Sequence, residues 1–279
     1  MNSEIERKID NVLQEAYDEH ERNQQRQINY VLSEIDRTRL DLIDLLTEYA
    51  KQDNTISKAR IHTLLGELDE IERKIRDYGL KALDTVIDDT ASKAIQTGVA
   101  ALGLLAVVKA LSSRRERQLA RNVVDSVFGR FKDENIIDLS DRMWTLAGDY
   151  NAELRRVLQA GIIQGKSVNQ LVADVRKVYE AETWKIETIV ITETNTAHRV
   201  GIAKAAEASE VVKAIKIIDH PGHKRHDQHE CYRLARQNPY GWGDGVYRPQ
   251  DTYIYSPHPR CRASFRYVLK DEYLTGGES

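Results

Sequence analysis

Five of the eight histidines and both cysteines of this 279-residue chain fall between Asp219 and Arg262. Two close pairs lie in that stretch, His229-x-Cys231 and, further along, His258-x2-Cys261. Imidazole and thiolate donors in a tetrahedral Cys2His2 set suit zinc. A structural Zn2+ held by His229, Cys231, His258 and Cys261 is therefore one reading. The second pair has ordinary knuckle spacing, and Pro257 and Pro259 stiffen the backbone around His258. The first pair is tighter than usual, which makes His226 or Asp227 a substitute for His229. His220, His223, His226 and His229 recur at every third position, although Pro221-Gly222 opposes a helix at the start of that series. The same residues also read as plain core thiols, as a Cys231–Cys261 pair, or as a cysteine nucleophile with a histidine base. For that last chemistry Asp219, Asp227 and Glu230 are the nearby carboxylates. The sequence contains no Gly-rich phosphate loop, no HExxH and no nucleophile elbow. Glu193 reads as a salt-bridge or capping partner on a helix rather than as a general base.

What must position these residues is mostly helix. Residues 3–50 read as one long helix or two joined ones. Ile28, Ile35, Leu42 and Tyr49 recur every seven residues, with Val31 and Leu45 interleaved and Thr38 as the polar exception. The turn formers KQDNTIS (51–57) break the pattern, with Asn54 or Ser57 as a cap for the next helix. There the seam resumes as Ile61, Leu68 and Ile75 beside Leu64, Ile71 and Tyr78. The expectation is a helical hairpin or coiled coil, closed within the chain or used for self-association. A third helix is expected over Ala91–Leu111, with Gly98 and Gly103 allowing close approach of a neighbour. The segment SSRRERQLAR (112–121) carries four arginines and reads as a solvated linker or helix start. Three helices are expected over 138–208: one capped at Asp138 or Ser140, one capped at Ser167 after Gly165, and one through WKIETIVITETNTAHRVGIAKAAE. At Val211 the period shortens. VVKAIKII, Tyr253–Tyr255 and SFRYVL (264–269) are strand candidates for a small antiparallel sheet. The fold class is α+β, with a helical region over 1–110 and a second domain over 111–279 whose His/Cys-containing β module spans 211–270.

Composition narrows the function classes. Hydrophobic content of 41% with 30% charge fits a folded soluble protein rather than a disordered one. Two cysteines cannot build a disulfide framework. The acidic start MNSEIERKID does not read as a signal peptide. The longest apolar run, Gly98–Val108, is about half of the roughly 20 residues that a bilayer span needs, so a membrane partner is not expected. Residues 1–110 carry 15 Lys/Arg against 21 Asp/Glu, whereas 220–270 carry 9 against 4. The basic C-terminal module offers Arg260, Arg262 and Arg266, with the 114–121 segment, as candidate nucleic-acid contacts.

The order of several segments carries a resemblance. DLSDRMW (138–144), LRRVLQAGIIQGKSVNQLVADV (154–175), ITETNTAHRVG (191–201), HDQHEC (226–231) and SPHPRCR (256–262) follow one another as in the phage head morphogenesis family, the Mu F-like minor head proteins of tailed phages and prophages. The chain resembles that family over about residues 110–270. Asp227 and Cys231 match its Asp-x-x-x-Cys segment; Thr192, Glu193 and Thr194 match its Arg-Thr-Glu-Thr segment; His258, Pro259, Cys261 and Arg262 match its closing motif. Ile191, Leu234 and Ala263 depart from it, the last two at places where the family shows thiols, so a metal in this chain would rely on histidines. The resemblance implies a minor capsid component of the virion, assembled in the host cytoplasm and located in the capsid interior near the portal. Its implied partners are portal, capsid and scaffold proteins and the packaged DNA. Its implied roles are procapsid assembly and the fate of that DNA, including ejection. The enzymatic domain that some relatives carry after the closing motif is not expected here, since the sequence stops at Ser279. The competing function is a metal- or cysteine-dependent enzyme, a nuclease or transferase, built on the His/Cys cluster.

Overall fold

The computed structural model describes residues 4–105, 111–129, 139–220 and 226–274, excepting the side chains of Ser140 and His226. The cap expected at Asp138 or Ser140, the end of the apolar run beyond Leu105, His223 and the His226 side chain all lie outside the described residues. Six α-helices and a three-stranded sheet are formed there: α1 (Glu4–Glu48), α2 (Ile61–Gly103), α3 (Ser113–Phe128), α4 (Leu139–Ile163), α5 (Val168–Glu207), β1 (Val212–Ile218), α6 (Glu230–Leu234), β2 (Val246–Tyr247) and β3 (Ser264–Leu269). The fold is α+β, a helical body with a small antiparallel sheet near the C-terminus. No helix among the described residues is long and apolar enough to cross a membrane.

Two elements are longer than the sequence suggests. Ala91 does not begin a third helix, because nothing between Tyr78 and Ala91 breaks α2, which runs on to Gly103. Likewise α5 is one helix of 40 residues, since no turn former stands near Trp184. Its start follows the capping expectation. Ser167 Oγ accepts the Gln170 amide at 3.4 Å while Gln170 Oε1 accepts the Ser167 amide at 2.9 Å, a reciprocal capping box. Gly165 supplies the positive φ, +74°, that ends α4. The arginine-rich segment is helical: Ser112 caps α3, accepting the Arg115 amide at 3.3 Å.

The chain divides into two compact units that draw on both sides of residue 110, because α1, α2 and α5 each contribute to both. The helical unit comprises Arg26–Asp84 and Ile137–Val190. Ile28, Val31, Ile35, Leu42 and Leu46 of α1, and Leu64, Leu68, Ile71 and Ile75 of α2, are buried in it. The pair is antiparallel: Lys74 bridges to Asp41 at 2.6 Å and Arg37 covers the Tyr78 ring. Of the two expected arrangements of the heptad seam, these contacts are those of the hairpin closed within the chain. Thr38, the polar exception, is fully buried and makes two bonds, donating to Ile35 O (2.7 Å) and accepting from Tyr179 Oη (2.8 Å) of α5.

The mixed unit comprises Met1–Gln25, Thr85–Ile136 and Ile191–Ser279. Its sheet has the order β2-β1-β3, antiparallel throughout, with a register irregularity between Val212 and Ala214 that accommodates Lys213. β3 alternates cleanly, burying Phe265, Tyr267 and Leu269 on one face. Tyr253–Tyr255 is not a strand; Thr252–Ile254 form a 3-10 turn, and the third strand is the two-residue β2. Small residues let α2 and α5 approach closely. A Cβ on Gly98 would lie 2.6 Å from Ala205 Cβ, and one on Gly201 would lie 2.6 Å from Ala94 Cβ. Gly103, the other expected contact glycine, faces no atom within 4 Å.

Candidate functional site

The His/Cys residues are positioned by short elements on the edge of the mixed unit. His229 is the N-cap residue of α6, with extended φ/ψ and no side-chain capping bond, and α6 turns Cys231 and Leu234 into the core. His258 and Cys261 sit on a turn whose Arg260 has φ +56°, a left-handed conformation uncommon outside glycine. His229, Cys231 and His258 each offer a donor atom, and these atoms lie within 4.8 Å of one another. The two imidazoles meet edge to face at 4.7 Å between centroids. His258 Nε2 is 3.1 Å from Cys231 Sγ, and its Nδ1 is 2.9 Å from the Pro259 carbonyl. A carbonyl can only accept, so Nδ1 carries the proton and Nε2 presents its lone pair to the sulfur.

Cys261 stands outside that three-residue group but interacts with two of its members, Cys231 and His258. Both cysteines are free thiols and both are 1% exposed. Hydrogen bonding with Cys231, with Arg199 and His258 nearby, lowers the Cys261 pKa against the opposing effect of burial. The same contact with Cys261, together with burial, raises the Cys231 pKa. Hydrogen bonding with Cys261 raises the His258 pKa against the opposing effect of burial. Asp227 is exposed and stands outside the three-residue group. Leu234 and Ala263, at places where thiols were expected, are fully buried apolar residues. Ala263 also offers its carbonyl to Arg199.

A buried polar knot behind these residues was not foreseen. Thr192, Glu193, Thr194, Asn195, Thr196, His198 and Arg199 of α5 are all buried. Arg199, 1% exposed, donates Nε to Tyr255 O (2.6 Å) and Nη1 to Cys261 O and Ala263 O (both 3.0 Å). Asn195 Nδ2 donates to Cys261 O at 2.8 Å, and the Arg260 amide donates to Thr192 Oγ1 at 3.0 Å. From α1, Tyr17 Oη donates to Arg262 O at 2.7 Å. The turn carrying His258 and Cys261 is therefore held by side chains of α5 and α1. Glu193 lies on a helix as expected, α5, and is fully buried. The only hint in the sequence is the loss of amphipathic period over ITETNTAHRVG, where polar residues face every direction.

Beside the knot, the His20 and His198 rings stack at 4.9 Å, and Tyr17 meets His198 edge-on at 5.5 Å. His20 Nε2 bonds to Asn195 Oδ1 at 2.8 Å. Both His198 ring nitrogens are buried without a hydrogen-bond partner. Burial lowers the His20 pKa to about 4 and pushes that of His198 well below the usual histidine range.

The arginines proposed for nucleic acid are differently placed. Arg262 forms a two-pronged ion pair with Glu21, both contacts at 2.6 Å. Burial works to raise the Glu21 pKa, but the Arg262 fork outweighs it and the carboxyl stays below its ordinary value. Arg266 pairs with Asp10 at 3.5 Å. Arg260 is exposed, as are Arg114, Arg115, Arg117 and Arg121 of α3.

No family model, no curated protein and no solved structure matches this chain.

Proposed function

We propose that this protein is a minor head protein of a tailed phage or prophage, acting in head morphogenesis beside the portal at the capsid interior. The observation that carries the reading is the convergence of the last three resemblance segments. ITETNTAHRVG, HDQHEC and SPHPRCR are separate in sequence, yet bonds join them: Arg199 and Asn195 to the Cys261 carbonyl, Thr192 to the Arg260 amide, His258 to Cys231. Residues used this way hold a module together, as expected of an assembly component. An attacking thiolate must instead reach a substrate, and both sulfurs are buried. The enzyme alternative therefore draws no support from its own candidate nucleophiles. Contact with packaged DNA belongs to the same proposal through the exposed arginines of α3 and Arg260, and predicts binding that weakens steeply with salt.

The test is co-assembly. In a lysate where portal and procapsid of the same phage form normally, the tagged chain should sediment with procapsids and be captured by portal protein. A chain that stays entirely in the free fraction while procapsids form would overturn the proposal.

A further inference from the structure

The geometry points to a metal site: we infer that His229, Cys231, His258 and Cys261 hold one zinc-type ion that clasps α6 to the turn at 257–262. This inference does not depend on the head-protein reading.

Three observations carry it. First, donor atoms from two separate stretches of chain are already gathered. Zn–S and Zn–N bonds of about 2.3 and 2.0 Å place tetrahedral ligands about 3.5 Å apart. The His258 Nε2 to Cys231 Sγ distance of 3.1 Å is close to that edge, and the full three-donor group falls within 4.8 Å. Second, His258 is oriented as a ligand. Its Nδ1–H is tied to the Pro259 carbonyl, so Nε2 faces the sulfur as a lone pair, the arrangement that backbone carbonyls impose on metal-bound imidazoles. Third, both thiols are buried beside one another with the Cys261 backbone fixed by Arg199 and Asn195, so the sulfur positions are set by the fold. Cys261 lies outside the 4.8 Å group but interacts with Cys231 and His258, so as fourth donor its sulfur closes on the ion when the metal binds.

The donor set selects the ion. Two sulfurs and two imidazoles form a soft, nitrogen- and sulfur-rich site that favours zinc over magnesium or calcium, which prefer carboxylates and water. Four protein ligands leave no open position for a substrate or water, so the ion is structural. The segment from Ala235 to Ala263 contains only a two-residue strand and a single 3-10 turn. A clasp across its two ends compensates for that lack of regular hydrogen bonding.

The experiment uses the full chain, expressed with zinc in the medium and purified without chelator. Elemental analysis should give one zinc per chain. Replacement by Co2+ should give the intense visible absorption of tetrahedral cobalt and a near-ultraviolet thiolate band. His258→Ala should weaken metal affinity by about 100-fold or more, whereas His258→Cys should retain the ion. Because His258→Ala could also unfold, the wild-type chain is tested with a mild chelator: melting temperature should fall on metal removal, and thiol titration should then find both cysteines free. A metal-free chain whose melting temperature ignores zinc and chelator would overturn the inference. So would a Cys231–Cys261 disulfide, or the weak absorption of six-coordinate cobalt.

Discussion

The two units solve the problem of burying long helices in opposite ways. In the helical unit the interior is mainly apolar, and its few buried polar residues, Gln27, Thr38 and Asn151, are scattered, Thr38 making two hydrogen bonds. In the mixed unit, α5 brings seven polar residues between Thr192 and Arg199 into the interior, and three of them, Thr192, Asn195 and Arg199, bond to backbone carbonyls and an amide of a turn far away in sequence. Apolar burial is non-directional and tolerates repacking. A buried guanidinium with three carbonyl partners is directional, and removing it takes a donor from each, leaving the Cys261 carbonyl with Asn195 alone. The helical unit is therefore a scaffold that many sequences could build, whereas the mixed unit specifies one path for the 255–263 turn. That is why the residues with chemical character collect there.

The sharpest way to break this contrast is Arg199→Met. It should cost about 3–5 kcal/mol, because Tyr255 O, Cys261 O and Ala263 O lose their shared donor in a buried place. Arg199→Lys should rescue little, since one ammonium cannot reproduce the planar fork. Both are read by denaturant unfolding. In the helical unit, Leu68→Ala should cost about 3 kcal/mol through lost burial and a residual cavity, and Leu68→Met under about 1.5 kcal/mol, as expected for apolar packing without direction.

Acid should separate the units next. The unfolded chain binds a proton on each histidine near pH 6.5, whereas His20 in the fold does so only near 4. Between those values the unfolded state holds more protons, so stability falls as pH drops through this window, by roughly 1.4 kcal/mol per pH unit for each buried histidine. The groups around the pair are Tyr17 and Glu21 of α1, Lys93 of α2, and Asn195 and Arg199 of α5. Of these, Arg199 and Lys93 oppose protonation, and Glu21 and the Asn195 bond favour it. A series of melts from pH 7 to 4 on wild type and His198→Phe should show the variant losing less. Equal acid slopes would remove this role for the pair. The smallest effect belongs to Thr38→Val, about 1 kcal/mol from the buried Tyr179 hydroxyl left without its partner.

The same contrast explains what was legible. The helical hairpin reads directly from the sequence because Ile28, Ile35 and Leu42 repeat with the period of the structure they form. The capping box at Ser167 and the turn at Gly165 are local signals and read equally well. The His/Cys pairs at 229–231 and 258–261 could be named as donors, and three of the four lie in one group. The continuity of α5 through Trp184 was missed because helix propensity alone marks no break or join there. β2 was missed because two residues carry no period. Arg199, Asn195 and Thr192 were out of reach for a different reason. Their partners are main-chain groups around residues 255–263, and a backbone carbonyl has no identity in a sequence.

Amide hydrogen exchange on Arg199→Met under native conditions tests the central claim most directly. The account predicts that protection is lost across 255–269, beginning with the Arg260 amide bonded to Thr192, while α1 and α2 residues within 26–84 keep theirs. Unchanged protection over 255–263 in that variant would contradict it.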